Sequence, residues 1–101
     1  VLGHSACGAV KGACDGAELG NLTQLLAKIT PAVEAESNGE SPGSSDDAFV
    51  QRVVETNVRN AVAAFTERSD VLSARVASGD LAIVGAVYDL ASGQVTWLNP
   101  E

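Results

Sequence analysis

The sequence predicts an α/β protein. The expected architecture is part of a mostly parallel sheet flanked by helices, with a C-terminal antiparallel edge hairpin. Three observations predict it. Val50, Val54, Val58, Ala61 and Phe65 recur at helical spacing. The period then changes at "LAIVGAV", residues 81–87, which is apolar throughout, as a strand covered on both faces is. At the other end, Val1-Leu2 reads as the tail of a strand that runs straight into a turn.

Taken in order, Gly3 to Cys7 is the turn and Gly8 to Cys14 a short helix ending near Gly16. Asn21 is placed to cap a second helix, with Gln24 as its capping-box partner and Leu22, Leu25, Leu26 and Ile29 as its apolar stripe. Thr30-Pro31 restarts a turn of helix, since proline suits the first helical position, and that segment ends near Asn38-Gly39. "NGESPGSS", residues 38–45, is a polar loop. Ser44 with Asp47 forms the expected capping pair for the long helix, in which Gln51, Arg52, Glu55 and Arg59 lie off the apolar stripe. Ser69 caps a further helix carrying Val71, Leu72 and Val76, and Gly79 ends it. After strand 81–87, a turn at 89–94 with Ser92-Gly93 at its tip leads to an edge strand at Val95 to Leu98.

This inventory is short of strands. A covered α/β sheet has about five, and the chain offers two and a stump. At 101 residues it is one domain at most. The fold is expected to be incomplete without an upstream half or a partner chain.

Composition narrows the function. The formal net charge is −7, with six Lys and Arg. Such a surface repels phosphate backbones and anionic lipid, so neither nucleic acid nor membrane is an expected partner. No apolar run reaches the roughly 18 residues of a membrane span, and no secretory signal pattern opens the chain. The two cysteines, Cys7 and Cys14, would be about 10.5 Å apart along one helix, too far for a disulfide. Reduced thiols point to a cytoplasmic setting.

The chemistry concentrates in "GHSAC", residues 3–7, which has three readings. A phosphate loop would place Gly3 and Gly8 correctly, but Ala9-Val10 stand where Lys and Ser/Thr are required. A nucleophile elbow would use Ser5, but that order needs a histidine downstream, and His4 is the single histidine and precedes it. Ser5 is then a bystander in the turn. The third reading is a metal pair, His4-x-x-Cys7. Imidazole and thiolate are both good zinc ligands, and at a strand-to-helix turn they can face one point. A helix N-terminus also favours thiolate. The competing reading of this pair alone is a buried cysteine beside a capping-region histidine. Cys14 belongs to the core.

"VLGHSACGAV", residues 1–10, resembles the second zinc motif of the β-class carbonic anhydrases. Residues 53–98 resemble that family's C-terminal helices, last core strand and hairpin, through Asn57-Val58, Gly79, Gly85-x-x-Tyr88-Asp89 and Gly93. The similarity spans residues 1–101 as the C-terminal half of one such domain, with 38–45 as a variable loop. It implies that His4 and Cys7 are two of three permanent zinc ligands and that the Gly8 backbone lies beside substrate or bicarbonate. The remaining cysteine ligand and an Asp-Arg dyad belong to an upstream Cys-x-Asp-x-Arg motif with no counterpart here. Tyr88 reads as structural, because Ala86 replaces the family's frequent tryptophan. The implied activity is reversible hydration of carbon dioxide by a zinc-held hydroxide, and the implied assembly is a homodimer or higher oligomer. The isolated chain is expected to be inactive. A non-catalytic scaffold relative, or a COS or CS2 hydrolase on the same fold, stays open as an alternative.

Overall fold

The computed structural model describes residues 1–98; residues 99–101, which the sequence assigns to the same domain, lie outside the described residues. The elements run β1 (Leu2–His4), α1 (Gly8–Cys14), α2 (Leu22–Ala27), α3 (Thr30–Glu36), α4 (Asp47–Arg68), α5 (Asp70–Ala77), β2 (Gly85–Tyr88) and β3 (Val95–Leu98). The strands form one mixed α/β sheet in the order β1-β2-β3. β1 is parallel to β2, with His4 opposite Tyr88, and β2 is antiparallel to β3. Among the described residues, five helices lie in the connection between the two parallel strands, as parallel pairing requires a long crossover.

The register sorts the side chains, because successive residues point to opposite faces. Gly85 and Val87 face α4: a Cβ on Gly85 would meet Val58, and Val87 belongs to the core cluster. That cluster joins Val10, Ala13 and Cys14 of α1 to Ala32 and Val33 of α3, and to Phe49, Val50, Val53, Val54 and Val58 of α4. Phe49 and Val53 are the largest fully buried side chains, each contributing roughly 1.5–3 kcal/mol by removal from water. The alternate row, Leu2–Ala86–Trp97, lies on the face away from α4, and Trp97 there is 70% exposed.

Several boundaries differ from the sequence reading. The strand expected at 81–87 begins only at Gly85. The described ladder ends there: Ala86 N donates to Val1 O, the Val1 amino group donates to Val84 O, and the last described residue of β3, Leu98, pairs with Gly85. Residues 81–84 therefore have no strand beside them among the described residues. Within β2 the expected burial of both faces holds, since Ala86 and Val87 point to opposite faces and are each 4% exposed, whereas Leu81 and Val84, outside the strand, stand exposed. Asn21 occupies the N-cap of α2 but makes no side-chain cap bond. Its backbone is already helical there, and Leu19 N donates to Thr23 Oγ1 instead. Of the stripe on α2, Leu26 and Ile29 are buried, whereas Leu22 and Leu25 face solvent. The cap of α4 is Asp46, which accepts from Phe49 N; Ser44 is turned toward Asp15. Phe65, at the C-terminal end of the α4 stripe, is half exposed, because there the helix has run past β2 onto residues 81–84. Ser69 caps α5 by accepting from Leu72 N, and Gly79 follows it with φ of 84°, both as expected.

Candidate metal centre

The His4–Cys7 turn sits at the carboxyl end of β1, the end at which open α/β sheets bind their ligands. His4 is the last residue of the strand rather than part of the turn. Ser5 N donates to Tyr88 O, which extends the ladder one step past His4. Ala6 then takes a left-handed conformation, φ 51°. For a residue with a Cβ this costs about 1–2 kcal/mol. It reverses the chain so that Cys7 becomes the extended N-cap of α1, with φ −70° and ψ 119°. Three residues thus convert strand into helix and bring His4 and Cys7 to the two sides of one tight turn.

The two side chains differ in setting. His4 is exposed. Its Nδ1 lies 2.9 Å from Ser5 O. A carbonyl oxygen only accepts, so Nδ1 carries the proton in the neutral ring and Nε2 keeps its lone pair free. Cys7 is a free thiol of intermediate burial, with its apolar side against the core cluster and no cap hydrogen bond. Gly8 opens α1, and a Cβ there would meet nothing within 4 Å. Its amide belongs to the first turn, whose N–H groups have no partner within the helix.

An imidazole whose Nδ1 is engaged with Ser5 O, leaving Nε2, and an unoxidised thiol form a donor pair that fits zinc. They fit as part of a set only. Among the described residues no group of three or more His, Cys, Asp or Glu is placed to hold a metal ion. Cys14 is no third donor: it is buried in the core, its thiol pushed up by burial and then by the charge of Asp15. Tyr88 lies opposite His4 in the ladder, half-buried in the sheet.

Ser5, which the sequence leaves as a bystander in the turn, is held by the fold at every polar group. Its amide donates to Tyr88 O and its carbonyl accepts from His4. Its hydroxyl donates to Asp89 Oδ1 at 3.1 Å and accepts from Leu90 N at 2.9 Å. No local signal marks this, because the partners lie at the far end of the chain.

The apolar grooves are elsewhere. One of about 340 Å³ is lined by Arg59, Val62, Ile83, Val84, Trp97 and neighbours, at the opposite end of β2 from Tyr88. Among the described residues no helix is long and apolar enough to cross a membrane.

Comparison with known proteins identifies the family of the chain. The family model described as carbonic anhydrase matches residues 1–95. Carbonic anhydrase 2 of Mycobacterium tuberculosis is 37% identical over 100 residues, covering 93% of this chain and 45% of that protein. The carbonic anhydrase of Mycolicibacterium smegmatis is 37% identical over 102 residues, covering 94% of this chain and 46% of its own length. Among solved structures, the β-carbonic anhydrase CafA of Aspergillus fumigatus superimposes with a TM-score of 0.80 at 32% identity, over 99% of this chain and 47% of that one. The chain spans about half the length of these relatives, and over that half it belongs to the β-class carbonic anhydrase family.

Proposed function

We propose that this chain is the half of a zinc-dependent carbonic anhydrase that supplies two metal ligands, His4 and Cys7, and that the complete protein hydrates carbon dioxide reversibly to bicarbonate. The observation that carries this reading is the donor pair itself. A free Nε2 and a free thiol stand on one strand-to-helix turn, at the ligand-binding end of the sheet, within the segment that matches the family. An upstream half, in the same polypeptide or as a complementary chain, supplies the remaining ligand.

Zinc held there would lower the pKa of bound water far below its bulk value, to about 7, which would make hydroxide available at neutral pH. The chain's own residues do the rest of the work assigned to this half. His4 presents Nε2, because its other ring nitrogen is engaged with Ser5 O. Cys7 offers sulfur from a half-buried position in which the core holds its Cβ. The Gly8 amide, on an open stretch of backbone, is a donor for bicarbonate or for the negative charge that develops on substrate oxygen. In this reading the isolated chain is inactive and the upstream half completes the site, in a homodimer or larger assembly.

The test compares residues 1–101 alone with the protein that includes the upstream half. Zinc content and CO2 hydration are expected only in the latter, and there His4→Ala or Cys7→Ser abolishes both. Stoichiometric zinc with full turnover in the isolated chain would refute the split site. Normal zinc in either variant would refute the ligand assignment. Turnover of COS or CS2 in place of CO2 would move the substrate class.

A further inference from the structure

The geometry points to Ser5 and Asp89 as a positioning pair that presets the His4 ring for metal. This rests on the reading of His4 as a ligand. A histidine ligand needs the proton on the nitrogen opposite the metal and a fixed ring plane; a hydrogen bond to that nitrogen supplies both. Here the acceptor is the main-chain carbonyl of the next residue, Ser5. A main-chain carbonyl orients a ring only as well as its own peptide is held. The Ser5 peptide is followed at once by Ala6 in a left-handed conformation, so local preference would relax it.

Three long-range bonds oppose that relaxation. The Ser5 amide is tied to Tyr88 O, and the Ser5 hydroxyl bridges Asp89 Oδ1 and the Leu90 amide. Asp89 is itself fixed: Ser92 Oγ donates to its Oδ2 at 2.6 Å, and its amide donates to Gln94 O. The turn between β2 and β3 thus acts as a clamp on the turn that follows β1. The hydroxyl is what links them, and alanine at position 5 would leave both Asp89 Oδ1 and Leu90 N without this partner. Neither Ser5 nor Asp89 touches the metal in this assignment; both act through the His4 ring.

The test reads the ring before any metal is added. In the metal-free protein, 15N chemical shifts of His4, assigned against His4→Ala, report which nitrogen bears the proton. The wild type is expected to hold the Nδ1–H form. Ser5→Ala is expected to give a mixture of tautomers and to weaken zinc binding about 10–100-fold, the range typical of lost outer-shell partners. Ser5→Thr, which keeps the hydroxyl, restores both readings. If Ser5→Ala does not fold by circular dichroism, Asp89→Ala carries the same two readings with Ser5 in place. A wild-type tautomer ratio and wild-type zinc affinity in the folded variant would overturn the proposal. Unchanged zinc affinity in His4→Ala would overturn the ligand reading instead, and the tautomer ratio would still judge the positioning pair.

Discussion

Ser5 Oγ lies 3.1 Å from Asp89 Oδ1, a bond that spans 84 residues of sequence. It joins the turn after the first strand to the turn between the last two. Its counterpart on the other side of α1 is the pair of bonds from Ser44 to Asp15, amide to Oδ1 at 2.7 Å and hydroxyl to Oδ2 at 2.6 Å. In both cases a carboxylate gathers a serine from a distant loop and fixes one end of the α1 region.

These two carboxylates make stability depend on acid. Hydrogen bonds from Ser92 and then Ser5 hold the Asp89 carboxyl below its ordinary value. Bonds from the Ser44 hydroxyl and amide do the same for Asp15. A carboxyl with a lowered folded pKa binds protons more weakly in the folded state than in the unfolded one. Its stabilisation is complete above the ordinary carboxylate value of about 4 and is lost as pH falls through the lowered folded value. Urea midpoints measured from pH 7 downward are expected to hold steady and then drop below about pH 4. Asp15→Asn and Asp89→Asn should each flatten that drop. An equally steep acid limb in the double variant would remove both groups from the account.

A second relationship sets the spacing of helix and sheet. A Cβ on Gly3 would fall 2.5 Å from Val58 Cγ2, and one on Gly85 would fall 2.9 Å from Val58 Cγ1. Val58 is 4% exposed and sits across the two adjacent strands. Gly3→Ala and Gly85→Ala are each expected to destabilise by about 1–3 kcal/mol through overpacking. Adding Val58→Ala makes room, so the double variants should lose less than the sum of the singles. Chemical denaturation of the three single and two double variants checks this. Strict additivity would mean that the helix shifts freely and that the glycines are not what admits it.

The outcome shows which parts of the molecule are legible without coordinates. Helix α1, the Ser69 cap and the hairpin follow from local signals, namely period, cap residues and turn glycines. The His4–Cys7 pair is legible for the same reason, as both members fall within one turn. What was not legible depends on neighbours. Leu81 to Val84 have the composition of a strand but no strand beside them in the described residues. Ser44 is as good a cap residue as Asp46 by type, and only the position of Asp15 decides between them. Ser5 reads as idle until the fold delivers Asp89. No pattern within a window of the sequence contains that pairing.

The cap assignment has its own measurement. Asp46 Oδ1 accepts from Phe49 N at 3.0 Å, and Phe49 is 1% exposed at the first turn of α4. Asp46→Ala is expected to cost about 1 kcal/mol, as lost N-caps do. Ser44→Ala keeps the amide bond to Asp15 and sits on an exposed link, so it should stay within about 0.5 kcal/mol. A larger loss at Ser44 than at Asp46 would restore Ser44 as the residue that starts the helix.

The two thiols separate by accessibility, and that separation bears on the metal. Cys14 is 4% exposed, and burial together with the charge of Asp15 keeps its thiol protonated. A buried neutral thiol reacts slowly, because the thiolate is the nucleophile. Cys7 is a free thiol of intermediate burial beside an open glycine backbone. Iodoacetamide on the folded, metal-free protein is therefore expected to modify Cys7 first, with Cys14 modified only after denaturant is added, as peptide mass mapping would show. Prior modification of Cys7 should then prevent zinc uptake by the protein that includes the upstream half, and bound zinc should in turn protect Cys7. Early labelling of Cys14 would mean that α1 opens readily from the core. Full zinc uptake after Cys7 is alkylated would leave His4 without its partner and remove Cys7 from the metal site.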